Sequence, residues 1–246
     1  MLLPTKKFTV SYASVSRAGG RELNEDAVVT IRRDDCYCFV VADGLGGHLF
    51  GGEASRCVTE VFAKLFVHAT NNRLFLKTAF EQAQAEILAL QKTSRAKSQM
   101  RTTAVVLSII RGKCAWGHVG DSRLYYYKRG KILRHTLDHS VPQMIASTRG
   151  LSEQEIASHS DRSRLLRVIG DIWSEPQYEI SKEIRLRQGM AFLLCTDGVW
   201  EHIAGDMPIP PPDADSWMSV LLNVLENVEQ ISDDIDNYSA VTVTIR

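Results

Sequence analysis

The sequence predicts an α+β sandwich, antiparallel sheets covered by helices. Two observations carry that expectation. Apolar, β-branched segments follow one another at short spacing and read as neighbouring strands, and the helical patterns come in pairs rather than alternating singly with strands. No internal repeat interrupts this order.

The elements follow in sequence. Phe8, Val10 and Tyr12 alternate as in a strand. Segments 27–32 and 36–42, rich in Val, Ile, Tyr and Phe, flank the charged turn Arg33-Asp34-Asp35 and read as a hairpin. After a Gly-rich stretch at 44–52, Ala54, Val58, Val61, Phe62, Leu65 and Phe66 recur at helical spacing. A second helix is expected over 73–91. Strands are expected at 102–111, 113–120, 122–128 and 131–136, with a tight turn at Lys128-Arg129-Gly130-Lys131. Residues 140–169 are helical in character but polar and broken, like a surface insertion. Strands near 178–186 and 190–196 precede a Pro-rich loop at 208–212. A helix at 215–229 places Trp217, Val220, Leu221, Val224, Leu225 and Val228 on one face, and a strand at 239–245 follows.

The composition excludes several function classes. The 246 residues suit one large domain, and 44% hydrophobic against 24% charged residues is ordinary for a packed core. Lys+Arg and Asp+Glu number 29 each, so no net field draws nucleic acid or an anionic membrane. The longest apolar runs, near 104–110 and 190–195, are too short to span a bilayer. With no secretory signal or lipidation motif in view, the expected location is cytoplasmic, without membrane insertion. Cys36, Cys38, Cys57, Cys114 and Cys195 are odd in number and scattered, which suits reduced thiols. The residues six after them are Ala42, Gly44, Ala63, Gly120 and Glu201, never Arg, which excludes a cysteine phosphatase. No Gly-x-x-x-x-Gly-Lys loop exists, which excludes a P-loop hydrolase. His135 and His139 have the spacing of a zinc pair on a helix, but no third ligand is evident and packing is the better reading.

The informative feature is where the acids fall. Glu25 and Asp26 precede the first hairpin strand and Asp43 follows the second. A turn centred near Asp34 places position 25 opposite position 43. Asp197 follows the strand at 190–196 and Asp236 precedes that at 239–245, so antiparallel pairing would make them neighbours. Clustered carboxylates raise one another's pKa unless a cation is present, and all-oxygen sites suit Mg²⁺ and Mn²⁺. Taken singly, each acid reads better as a turn residue than as a ligand, and neighbouring pairs bring the two readings level.

The residue strings go further. Arg21-Glu-Leu-Asn-Glu25-Asp26 and Val41-Ala-Asp43-Gly44-Leu-Gly46-Gly47-His48 resemble the first motifs of the metal-dependent Ser/Thr protein phosphatases of the 2C type. So do Arg101-Thr102-Thr103-Ala104, Gly120-Asp121-Ser122-Arg123, Leu137-Asp138-His139-Ser140, Arg167-Val-Ile-Gly170, Cys195-Thr196-Asp197-Gly198 and Asp236-Asn237. They stand in the family's order across nearly the whole chain, and the form is similar to the compact bacterial branch. The resemblance implies one domain over 1–246, a four-layer αββα sandwich with a flap insertion at about 141–166. It implies hydrolysis of phosphoserine and phosphothreonine by a water activated at two Mn²⁺ or Mg²⁺ ions. Asp43 would bridge the ions, Asp197 and Asp236 would complete one, and Glu25 with the Gly44 carbonyl would hold the other. Asp121, with Asp197, would bind a third ion, as in bacterial relatives. Asp26 would orient the water, and Arg21 would grip the phosphate through its planar fork. Implied partners are phosphoproteins and a cognate Ser/Thr kinase. Leu45 stands where many eukaryotic relatives carry a His as candidate general acid, leaving a metal-held water or His48 for that role. Gly51-Gly52 replaces the family's Gly-Glu. The rival reading is a catalytically inactive module of this fold that binds and regulates a phosphoprotein or kinase.

Overall fold

A computed structural model of the chain describes residues 8–45, 50–93, 98–232 and 235–246. His48, Gly46 and Gly47 lie outside the described residues. Two antiparallel sheets pack face to face. One has the order β1 (Val10–Arg17), β13 (Tyr238–Ile245), β12 (Met190–Cys195), β8 (Arg123–Lys128), β9 (Lys131–His135). The other runs β10 (Glu179–Ile180), β7 (Lys113–Val119), β6 (Ala104–Ile110), β3 (Cys36–Ala42), β2 (Ala27–Arg33), with β11 (Ile184–Arg185) also on β7. Helices α1 (Phe50–Phe66) and α2 (Asn72–Gln91) cover the second sheet, while α5 (Asp197–Ile203) and α6 (Ala214–Glu229) cover the first. The result is the four-layer sandwich.

Alternation along each strand explains the layering. In β3, Tyr37, Phe39 and Val41 face the other sheet, whereas Cys38 and Val40 face α1 and α2. In β12, Phe192 and Leu194 face between the sheets, whereas Leu193 and Cys195 face α5 and α6. Strands buried on both faces read as unbroken apolar runs, which is why 104–110 and 190–195 look continuous in sequence. Among the described residues no helix is long and apolar enough to cross a membrane.

Helix ends follow local chemistry. Asn71 caps α2 by accepting from the Leu74 N–H at 2.9 Å, and Asp213 caps α6 by accepting from that of Ser216 at 2.8 Å. In the polar stretch after β9, α3 (Val141–Arg149) ends at Gly150 in the left-handed region, and α4 (Glu153–Ala157) begins with a Ser152/Glu155 capping box. The helical character expected over 140–169 stops at Ala157.

Two expectations need correction, and two elements had no expectation. Ala27 pairs with Ala42 and Arg33 with Cys36, so position 25 aligns with 44, not 43, and Asp26 aligns with Asp43. The turn holds two residues, Asp34 and Asp35, with Asp34 at φ 53°, and a two-residue loop moves the register by one from a turn centred on Asp34. The strand expected over 178–186 is two short bridges, β10 and β11, because the chain leaves β7 between them, where the Ser181 hydroxyl accepts from the Trp116 N–H at 2.9 Å. Helix α5 and the two-stranded ribbon of β4 (Gly44–Leu45) with β5 (Arg101–Thr102) were not anticipated.

Candidate active site

β12 pairs with β13 in a register that sets Cys195 opposite Ala240. The chain ends next to that pair carry Asp197 and Asp236. The hairpin of β2 and β3 delivers Asp26 and Asp43 from the other sheet. One cavity of about 460 Å³ opens there, lined by Arg21, Glu25, Asp43, Gly44, Asp121, Asp197 and Asp236, with Ser163 and Leu165 from the segment after α4 at its rim. Thus these five acids, far apart in sequence, share one opening.

Each is held by its neighbours. Asp43 presents its backbone N–H to Thr103 Oγ1 at 3.0 Å and its carbonyl to the Thr103 N–H at 2.9 Å and the Thr102 hydroxyl at 2.7 Å. Asn237 pins the Glu25 loop: its Oδ1 accepts the Glu25 N–H at 2.8 Å, and its amide donates to the Ala18 and Leu23 carbonyls at 2.9 Å each. Asp26 does not line the cavity. It lies buried behind it, with Oδ2 accepting from the Thr196 hydroxyl at 3.0 Å. Thr196 is the residue before α5, and its hydroxyl serves Asp26 rather than capping the helix. Arg21 sets its fork on Asp236, Nε to Oδ1 at 3.1 Å and Nη2 to Oδ2 at 3.2 Å.

Gly44 and Gly51 are required by close approach. A Cβ on Gly44 would sit 2.2 Å from the Gly51 carbonyl oxygen. A Cβ on Gly51 would sit 2.6 Å from Glu25 Oε1 and 2.7 Å from the Gly44 carbonyl oxygen. The carboxylate and carbonyl oxygens therefore converge beside Gly51, where any side chain would separate them.

The electrostatics are those of crowded carboxylates. Burial, then Asp197, Asp26, Asp121 and Asp236, push the Asp43 carboxyl well above the usual range. Burial and then Asp197 do the same to Asp121. Asp26 is pushed up to about 7 by burial, with Asp197 and Asp236 adding to it, and Asp197 to about 6 by burial and then Asp236. Buried Glu25 Oε1, Asp26 Oδ1 and Asp121 Oδ1 have no hydrogen-bond partner. Orphaned carboxylate oxygens, an all-oxygen donor set and a glycine cradle fit hard divalent cations. Among the described residues these carboxylates form no group of three with ligand atoms all within 4.8 Å of one another.

The one described group that meets that distance is His118, His139 and Glu179. Its hydrogen bonds argue against a cation. His139 Nδ1 accepts the Gly120 N–H at 3.2 Å, which leaves the ring proton on Nε2, 3.4 Å from Glu179 Oε1. His118 Nε2 donates to the Leu137 carbonyl at 2.8 Å, and the two rings stack at 4.6 Å. His135 lies elsewhere, stacked on Tyr125, so the sequence pair 135/139 serves packing.

Sequence reasoning assigned no role to Asn237, Trp200 or Glu201. Asn237 had a signal in standing beside Asp236. Glu201, held up at about 7 by burial and Asp197, pairs with Arg162 at 3.1 Å beside a second cavity of about 580 Å³ between α4 and α5. Arg162 belongs to the polar stretch over 140–169 that reads in sequence as a surface insertion.

Comparison with known proteins agrees with this arrangement. The chain is 28% identical over 198 residues to the serine/threonine protein phosphatase PstP of Mycobacterium tuberculosis, covering 79% of this chain and 37% of that protein's length. It is 26% identical over 187 residues to the serine/threonine phosphatase stp of Listeria monocytogenes, 73% of each. The crystal structure of M. tuberculosis PstP superposes with a TM-score of 0.83 at 24% identity, covering 96% of this chain and 98% of that one. The PstP catalytic domain in complex with two manganese ions gives 0.81 at 23% identity, covering 97% and 99%. A model of the protein phosphatase 2C family matches residues 15–237, from within β1 to the asparagine that pins the Glu25 loop, and the chain belongs to that family.

Proposed function

We propose that the chain hydrolyses phosphoserine and phosphothreonine in proteins at a centre of two Mn²⁺ or Mg²⁺ ions, with residues 1–246 as one phosphatase domain and 141–166 as its flap. The convergence of Glu25, Asp43, Asp197 and Asp236 on one cavity carries this reading. Asp43 would bridge the ions, Asp197 and Asp236 would hold one, and Glu25 with the Gly44 carbonyl the other. Asp121 with Asp197 would take a third. An all-oxygen lining of one cavity suits hard divalent cations, which keep waters of their own beside protein ligands. When bound, the ions would supply an acidified water and neutralise charge on the phosphoryl oxygens.

The chain's own groups do the rest. Asp26, behind the ligands, would orient the attacking water. Arg21 would exchange Asp236 for the substrate phosphate. An exposed ion pair of this kind is worth only about 0–1 kcal/mol, so the exchange is cheap. Leu45 and Leu165 add apolar surface to the lining of the same cavity. With no imidazole at position 45, protonation of the leaving alkoxide would fall to a water or to His48. Relatives named as serine/threonine phosphatases support the substrate class, and a cognate Ser/Thr kinase follows from that class.

The test is hydrolysis of a chromogenic phosphate ester and of a phosphothreonine peptide, with Mn²⁺ and with chelator. Turnover is expected only with the ion. Asp43→Asn is expected to reduce it by more than about 100-fold, since a group that merely supports a ligand already costs 10- to 100-fold. Absence of Mn²⁺-dependent turnover in the wild type would favour the non-catalytic module, and full activity in Asp43→Asn would reject the bridging role.

A further inference from the structure

Asp121 is seated in the cavity by a residue on another element. Trp200, in α5, donates its indole N–H to the Asp121 backbone carbonyl at 2.9 Å. The same indole face lies 3.6 Å beneath the guanidinium of Arg123, a close cation–π contact. Arg123 is fully buried and grips Asp138 with two bonds of 2.7 Å. Its remaining arm, Nη1, donates to Tyr125 Oη at 3.0 Å and to Oε2 of Glu153 at 2.8 Å. Glu153 is the first residue of α4, with a side chain 40% exposed. An unbroken set of contacts thus runs from the proposed flap, through Arg123 and Trp200, to Asp121.

The turn that carries Asp121 is otherwise rigid. Gly120 has φ 95°, a region closed to most side chains, and its N–H and carbonyl are both taken by His139. Ser122 bonds Thr103 at 2.6 Å. The carbonyl of Asp121 is left for one donor from outside the turn, and Trp200 supplies it. Since Asp197 opens the same short helix, the bond also ties together the two acids proposed to share an ion.

We infer that Trp200 is a positioning residue for Asp121, and that Arg123 transmits the position of α4 to it. The inference rests on the proposed reading of Asp121 as a cation ligand. Trp200→Phe keeps an aromatic face under Arg123 and removes the N–H. Glu153→Ala unloads the other end from an exposed position, and Glu153→Gln keeps an acceptor for Arg123. The experiment is calorimetric titration of each variant with Mn²⁺, alongside thermal melts and Asp121→Asn. Trp200→Phe and Glu153→Ala are expected to weaken the weakest-bound Mn²⁺ by about threefold to tenfold, the worth of one buried hydrogen bond, without changing the tighter sites. Glu153→Gln is expected near wild type, and excess Mn²⁺ should restore kcat in Trp200→Phe and Glu153→Ala.

A melting temperature that falls while the Mn²⁺ titrations of Trp200→Phe and Glu153→Ala stay as in wild type would overturn the inference, as would equal weakening of every site. If Asp121→Asn also titrates as wild type, the ligand role of Asp121 fails first; if it loses the weakest ion, the positioning role alone fails. Should Trp200→Phe not fold, Glu153→Ala decides.

Discussion

In the presence of chelator, raising the pH should destabilise this protein, and Asp26 contributes one part of the effect alongside Asp43, Asp121, Asp197 and Glu201. Burial holds the Asp26 carboxyl up at about 7, against 3.8 for the free group. A folded pKa above the unfolded one means that the native state holds the proton through the window between them. The stabilisation is complete below about pH 4 and is lost as the pH rises through about 7. From about pH 5 to pH 8 roughly two pH units of that window are crossed, worth on the order of 3 kcal/mol at 1.36 kcal/mol per unit. For a chain of this length that is about 6–12 °C in melting temperature. His139, lowered to about 3 by burial, then His118 and Arg167, acts in the opposite sense up to about pH 6.5, so the informative quantity is a difference. Asp26→Asn removes the titration and relieves Asp43, on which the Asp26 charge acts. The melting temperature of Asp26→Asn minus that of wild type, measured in chelator by circular dichroism, should climb by roughly 6–12 °C from about pH 5 to pH 8. Saturating Mn²⁺ should remove the wild-type loss, because cations bind the ionised acids and bind better as pH rises. Parallel pH profiles for the two proteins would refute the reasoning.

Two further outcomes follow from the same geometry. Arg21→Ala should chiefly raise KM for a phosphopeptide, with stability changed by less than about 1 kcal/mol because the pair it makes with Asp236 is half exposed; an unchanged KM in steady-state assays would remove Arg21 from phosphate binding. Gly51→Ala places a methyl 2.6 Å from Glu25 Oε1 and 2.7 Å from the Gly44 carbonyl, while replacing a helical glycine gains about 1 kcal/mol, so calorimetry should show Mn²⁺ affinity lowered by more than about tenfold with the metal-free melting temperature held.

The acids were legible from the chain because strand ends are legible. Apolar runs bounded by turns located β2, β3, β12 and β13, and the acids stand at their limits. Ordered strings such as those around Asp43 and Asp197 added the family and the fold, because each string pairs a strand end with a turn that the site needs. Register was less legible: whether position 25 or 26 aligns with Asp43 depends on one turn residue, and hydrophobic alternation in a doubly buried strand does not distinguish them.

Periodicity and local chemistry in the chain were sufficient for antiparallel sheets covered by helices, for α1, α2 and α6 and for the acids at strand ends, because those depend on neighbours within a few residues. The four layers and the ligand roles came with the family resemblance. The three-dimensional packing alone revealed that Thr196 serves Asp26 instead of its helix, that Gly51 leaves room for Glu25 and the Gly44 carbonyl to meet, and that Trp200 reaches Asp121 across 79 positions. Each of these joins residues from different elements, and only the stacking of two sheets and their helices brings such partners within hydrogen-bonding distance.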